Sequence, residues 1–207
     1  MVHEDARPGS GIYDEICDAL DAIIGCVIPA MFKAQQPWAL MGSLASVLQG
    51  IDNYRPPDID IVTSRDGAYI MEECVAGAGS TVRPVAKSSA GPYTSYFGVY
   101  QVNGIKVEIM GDLEIHVADA HLVATDHWSR WSERVRILHF RDKHIPVVPL
   151  EWQLVANAML NRPERVSGIS EYLLAHGYDR AYVDELLADQ HYGERTLRMA
   201  MEALRLA

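Results

Sequence analysis

Two aspartates one residue apart, Asp58 and Asp60, stand in the stretch RPPDIDIVTS at residues 55–64. On a strand alternate side chains face opposite sides, so Ile59 and Ile61 would anchor one face while the two carboxylates share the other, roughly 6.6 Å apart along the chain. Carboxylates held that close repel, and burial raises the cost of ionising both. A divalent cation removes the conflict. Magnesium suits such a place, because it takes oxygen ligands from one or two carboxylates together with substrate phosphates. Downstream, Asn103-Gly104 is a strong signal for a two-residue hairpin turn. That turn would pair Val102 with Ile105, Gln101 with Lys106, Tyr100 with Val107 and Val99 with Glu108. Glu108 is then an acid in mid-strand, flanked by Val107 and Ile109, on the side that carries Lys106 and Gln101. If its strand lies beside DIDIV, Asp58, Asp60 and Glu108 make a three-carboxylate cluster. Such a cluster can hold two metal ions, which clamp the attacking and leaving oxygens of phosphoryl or nucleotidyl transfer.

A phosphate seat is expected upstream. WALMG reads as a short strand and SLASVLQG as a two-turn helix closed by glycine. Gly42 and Ser43 sit at the junction, where backbone N–H groups lack helical partners and glycine lets a ligand come close. The Ser43 hydroxyl would bind phosphate or cap the helix. Arg55, in the turn before the aspartates, is a further candidate phosphate contact. Lys106 is at least an ion-pair partner for Glu108. Tyr93, Tyr96, Phe97 and Tyr100 read as strand packing or as the wall of a cleft for a base or sugar. His116, His121 and His127 lack the four-residue spacing of a helical zinc pair. The cations Arg130, Arg134, Arg136, Arg141 and Lys143 read as a solvated edge, with an acceptor-binding face as the minority alternative.

The elements that must position these residues alternate in type and then turn helical. Ile16, Leu20, Ile23, Ile24, Val27, Ile28 and Met31 recur at helical spacing from Tyr13 to about Lys33, with Pro29 expected to kink or end the helix. DGAYIMEECVAGAG reads as a second helix, and STVRPVAKS, YTSYFGVYQV, IKVEIMGDL and RVRILHF as strands. After HIPVVP four helical segments follow, marked by Pro149, Pro163, Gly177 and Gly193. The expected fold is α/β (α+β), a mixed sheet flanked by helices, divided into a core over residues 1–148 and a helical region over 149–207.

Composition narrows the chemistry. A net charge of −10 over 207 residues argues against a protein that coats nucleic acid. Cys17, Cys26 and Cys74 form an odd set without CxxC spacing, which reads as buried thiols in a reducing cytoplasm. The opening MVHEDARPGSG has no signal-peptide layout, and no stretch is long and apolar enough for a membrane span, so a cytoplasmic location is expected.

The pattern Met41-Gly42-Ser43, a fourteen-residue spacer, and Asp58-Ile59-Asp60 resembles the polymerase-beta-type nucleotidyltransferase superfamily. The surroundings, with VVPLEWQLVANAMLNRPER after the core, are similar to the subgroup of small antibiotic-modifying and abortive-infection toxin-like nucleotidyltransferases. The resemblance implies a nucleotidyltransferase fold and a magnesium-dependent transfer of a nucleoside monophosphate from a nucleoside triphosphate such as ATP to an acceptor hydroxyl, releasing pyrophosphate. Asp58, Asp60 and Glu108 would hold the metals, and Gly42 with Ser43 would seat the triphosphate. The acidic chain favours a small-molecule acceptor over long nucleic acid, with transfer RNA or a protein hydroxyl left open. Asn157 stands where the subgroup often has a helix lysine, which keeps a catalytically silent relative as the alternative. A phosphohydrolase using the same acids on water is the other.

Overall fold

The computed structural model describes residues 11–52, 54–124, 134–188 and 192–206. The described residues form eight strands and seven helices, in the order α1 (Gly11–Ala34), β1 (Trp38–Met41), α2 (Gly42–Leu48), β2 (Asp58–Thr63), α3 (Arg65–Ala78), β3 (Ser80–Ala90), β4 (Tyr93–Val102), β5 (Ile105–Val117), β6 (Ala120–Val123), β7 (Arg136–Phe140), β8 (Lys143–Val147), α4 (Leu150–Met159), α5 (Pro163–His176), α6 (Arg180–Leu187) and α7 (Glu194–Ala203). The strands make one mixed sheet in the order β3-β4-β5-β2-β1-β8-β7, with β6 paired to the far end of β5. β1 runs antiparallel to β2, while β2 and β5 are parallel neighbours.

The helix expected at the N-terminus forms and passes through Pro29 to Ala34. Proline there forfeits the bond to the Gly25 carbonyl and crowds the preceding turn. Val27 and Met31, buried on either side of it, hold the helix to the sheet. Ile16, Leu20, Ile23 and Ile24 complete its buried stripe against Ile59, Ile61, Val107 and Ile109 on one face of the sheet. Helix α3 joins that face, its first turn capped by the Ser64 hydroxyl, which accepts from the Gly67 N–H at 3.0 Å.

Cys26 on α1 and Cys74 on α3 are joined as a disulfide across a Cα–Cα distance of 5.6 Å, and Cys17 is a buried thiol outside that bridge. This corrects the reading of three buried thiols. The spacing of 48 residues carries no sequence sign of pairing, because β1, α2 and β2 separate the two helices along the chain and they meet only once the protein is folded. Thiol titration of the oxidised, denatured chain is expected to find one free thiol, and Cys74→Ser to cost about 2 kcal/mol in chemical denaturation. Three titratable thiols would show that the bridge does not form.

The opposite sheet face is covered by α4 to α7. Helix α4 is buried almost all round, with Trp152, Leu154, Val155 and Met159 at most 1% exposed. Its buried Gln153 donates to the Val148 carbonyl at 3.1 Å and accepts from the Ser46 hydroxyl at 3.2 Å, tying α4 to α2.

β5 carries a bulge that the sequence pattern does not announce. Tyr96 lies opposite Gly111 but Thr94 lies opposite Glu114, so three steps on β5 match two on β4. Asp112 adopts φ 47°, and its carboxylate accepts from the Arg65 N–H at 3.0 Å. Gly111 leaves room for α3, since a Cβ there would stand 2.9 Å from the Ser64 carbonyl oxygen. The bulge exchanges the two faces of the strand. Glu108 and Met110 before it and Leu113 and Ile115 after it all face the same cavity.

The described cations of the RWSERVRILHFRDK run are paired with acids. Arg134 pairs with Asp179 and Glu185, Arg136 with Glu151, Arg141 with Asp18 and Asp21, and Lys143 with Asp21 and Asp142. The minority reading of an acceptor face is thus unsupported at these four residues. Arg130 lies outside the described residues, as does His127.

Candidate functional site

The hairpin turn at Asn103-Gly104 sets the register expected from sequence, with Val102 opposite Ile105, Gln101 opposite Lys106, Tyr100 opposite Val107 and Val99 opposite Glu108. The parallel pairing of β2 with β5 then sets Asp58 beside Lys106 and Asp60 beside Glu108. On the other side of β2, Met41 pairs with Asp60, which delivers the following Gly42 to the same spot. Strand alternation sends Ile59, Ile61, Val107 and Ile109 into the core and Asp58, Asp60 and Glu108 to the opposite side. One carboxylate oxygen from each of the three acids lies within 4.8 Å of the others.

This cluster is electrostatically costly. Burial, followed by the charges of Asp58 and Glu108, pushes the Asp60 carboxyl up to about 8 from its ordinary 3.8. Lys106 relieves part of the strain. Its ammonium donates to Asp58 at 2.7 Å and to Glu108 at 2.8 Å. Burial works against that charge, yet the two hydrogen bonds hold Lys106 above its ordinary range.

The trio opens on a cavity of about 420 Å³ whose wall includes Gly42 and Ser43. Gly42 has φ 72°, and a Cβ on it would collide with the Asp60 carboxylate. Ser43 is buried inside α2, whose N-cap is Met41 with no side-chain bond. The capping reading for Ser43 is therefore wrong, because the helix begins one residue before it. Arg55 is exposed in its turn and is not among the residues that line the cavity.

Sequence reasoning missed three arginines. Arg83 on β3 and Arg162 and Arg165 at the start of α5 line the cavity. Arg162 donates to the Tyr93 hydroxyl at 2.8 Å, and the Arg165 guanidinium lies 4.2 Å from the centre of the Tyr54 ring. They are distant in sequence from the aspartates, and although Arg162 and Arg165 lie in the VVPLEWQLVANAMLNRPER stretch, nothing local in it gives them a role at the site. Of the four aromatics singled out, Tyr93 and Phe97 line the cavity, whereas Tyr100 is fully buried and donates to Glu72 at 2.7 Å, and Tyr96 packs at a tilt of 59° against Tyr69. Asn157 also lines the cavity, its amide donating to the Gln153 carbonyl at 2.7 Å.

The family model of the aminoglycoside-2''-adenylyltransferases matches residues 24–186. The chain belongs to this family. It is a nucleotidyltransferase enzyme, and its fold is that of the polymerase-beta-type superfamily. Among solved structures, the nucleotidyltransferase-type protein TM1012 of Thermotoga maritima is 28% identical over 74% of this chain and 92% of its own, with a TM-score of 0.57. ANT(2'')-Ia, crystallised with adenylyl-2''-tobramycin, is 12% identical over 81% of this chain and 94% of its own, with a TM-score of 0.44. JHP933 of Helicobacter pylori is 14% identical, covering 96% and 93%, with a TM-score of 0.39. No curated protein matches the chain. No helix among the described residues is long and apolar enough to cross a membrane.

Proposed function

We propose that this family member transfers a nucleoside monophosphate from ATP or another nucleoside triphosphate to a hydroxyl of a small molecule, with magnesium as cofactor. The observation that carries the proposal is the meeting of Asp58, Asp60 and Glu108 at the wall of the cavity that Gly42 and Ser43 also line. The donor set fits magnesium. It is all oxygen, and the raised Asp60 carboxyl marks negative charge that a cation would relieve. Bound there, magnesium supplies the positive charge that screens the triphosphate and steadies the departing pyrophosphate.

The chain's own residues do the rest. Gly42 and Ser43 seat phosphate oxygens. Glu108 accepts the acceptor hydroxyl's proton as its oxygen bonds to the α-phosphorus and the bridge to the β-phosphate breaks. Arg162 and Arg165 supply the cationic charge on the cavity wall that Asn157 lacks. Residues 1–148 then serve as the transferase core, and the helices of 149–207 close the cavity over the substrates.

The wall also bears on the acceptor. Among the described lining residues, Asp58, Asp60 and Glu108 are the only carboxylates, and Arg83, Arg162 and Arg165 line the same cavity. A polycationic aminoglycoside would find no free acid to bind and three cations to repel it. A neutral or anionic small hydroxylated acceptor fits this wall better.

The test is pyrophosphate release from ATP with magnesium over a panel of neutral, anionic and polycationic alcohols, with products weighed by mass spectrometry. An acceptor carrying one added nucleoside monophosphate is the expected product. Release of phosphate or AMP with no adduct would identify a phosphohydrolase, and binding without turnover on every acceptor class would identify a silent relative. Lys106 offers a separate check, since its ammonium occupies oxygens of Asp58 and Glu108 that a metal would need. Lys106→Met is expected to tighten nucleotide-free magnesium binding severalfold by calorimetry, and weaker binding would show that the lysine organises the site.

A further inference from the structure

A second group of metal-binding side chains lies outside this cavity. β5 and β6 form a hairpin closed by Ala118 and Asp119, with His116 opposite His121. The two imidazoles stack with centroids 4.1 Å apart and planes 14° from parallel, so an ion bound by both requires one ring to turn about its Cβ–Cγ bond until both nitrogens converge. Glu114, two residues before His116 on the same strand, places Oε2 3.0 Å from His116 Nε2 and 3.5 Å from His121 Nε2.

We infer that Glu114, His116 and His121 form a transition-metal site, taking zinc or a similar ion, separate from the acid trio. Three observations meet here. A tetrahedral ion with bonds of about 2.0–2.1 Å holds its donor atoms about 3.3 Å apart, and the separations of 3.0 and 3.5 Å lie on either side of that value. All three donor atoms lie within 4.8 Å of one another. Two imidazoles with one carboxylate suit a borderline ion, whereas the all-oxygen trio suits a hard one, so the two sites select different metals.

The placement supports independence. Leu113 and Ile115 face the cavity, so Glu114 and His116, alternating with them, face the other way. The side chains of His116, His121 and Glu114 are 47%, 41% and 37% exposed, so solvent reaches this hairpin face, although His121 Nε2 itself is covered. Such an ion would clip the end of β5 to β6, a hairpin only four residue pairs long.

The test is calorimetric titration of the full chain with Zn²⁺ in excess Mg²⁺, repeated with Co²⁺ to read visible absorption bands. One zinc per chain is expected at micromolar concentration. It should persist in Asp60→Asn, which disables only the acid trio. His116→Ala and His121→Ala should each weaken it at least tenfold, with the cobalt bands lost in the double variant and the zinc-free melting temperature unchanged. Absence of saturable binding at micromolar zinc, or equal affinity in the double variant, would overturn the proposal.

Discussion

Asp60→Asn is expected to reduce nucleotidyl transfer by about 10³-fold or more and, in the same protein, to raise the melting temperature of the metal-free enzyme at pH 8 by several degrees. The two effects share one origin. Asp60 is held between Asp58 and Glu108 in a partly enclosed place, and burial, then those two charges, push its carboxyl up to about 8 from an ordinary 3.8. Below about pH 3.8 the carboxyl is protonated whether the chain is folded or not, so it costs the fold nothing. Between that point and about 8 the unfolded chain releases the proton while the folded chain keeps it. Each pH unit in that window therefore removes about 1.4 kcal/mol of stability. The charge of Lys106 already holds that folded value down, so the loss over the whole window, on the order of 5 kcal/mol, is complete once the pH has risen through it. An amide cannot ionise, so the variant lacks the decline. Melting curves of metal-free protein at pH 5 and pH 8 read the difference, at about 2–4 °C per kcal/mol for a chain of this size. Added magnesium should recover the stability of the parent enzyme and do little for the variant. A variant with activity within tenfold of the parent would remove Asp60 from the chemistry. A parent whose metal-free stability does not fall between pH 5 and 8 would show that the trio is not strained.

How much of this site was legible in the sequence depends on the range of each signal. The hairpin that places Glu108 could be read because Asn103-Gly104 and strict alternation act over a few residues. The same holds for the face shared by Asp58 and Asp60, and for the buried stripe of α1. The adjacency of β2 and β5 was only conditional. It joins strands separated by α3, β3 and β4, and nothing local in DIDIV or KVEIM names the partner. Family resemblance supplied that step. Signals weaker than packing misled. Pro29 argued for a break that Val27 and Met31 override. The hairpin at Ala118-Asp119 lacks the usual turn residues, so no local signal marks β6, and helical spacing is the wrong test for His116 and His121, which meet across strands. The bulge at Gly111-Asp112 reverses the faces of β5, and any alternation carried through it from Glu108 would put His116 beside the acid trio. Arg83, Arg162 and Arg165 reach the cavity only through tertiary folding, which single-residue reasoning cannot supply. The pairing of Cys26 with Cys74 is of the same kind.

Gly42→Ala is expected to reduce transfer by about 10²-fold with the fold retained, because one methyl group disturbs two things at once. The first is local. Gly42 sits at φ 72°, a conformation that costs an L-residue roughly 1–2 kcal/mol, and this lowers stability by that amount. The second is at the site. The new Cβ would stand too close to Asp60 Oδ2 for both to stay, and the carboxylate cannot withdraw into the core, where Ile59 and Ile61 are fully packed on the other face of the same strand. Asp60 must swing away from Glu108 or α2 must retreat from β2. Either movement separates the residues proposed to seat phosphate from those proposed to hold the metal, and errors near 1 Å in reacting geometry cost about this much rate. Circular dichroism and thermal melting should show a folded protein, while magnesium affinity and turnover fall together. Gly42→Ala combined with Asp60→Asn discriminates the causes. If the methyl group acts through Asp60, the double variant is no less active than Asp60→Asn alone, whereas additive losses would mean that Gly42 serves the triphosphate by a separate route.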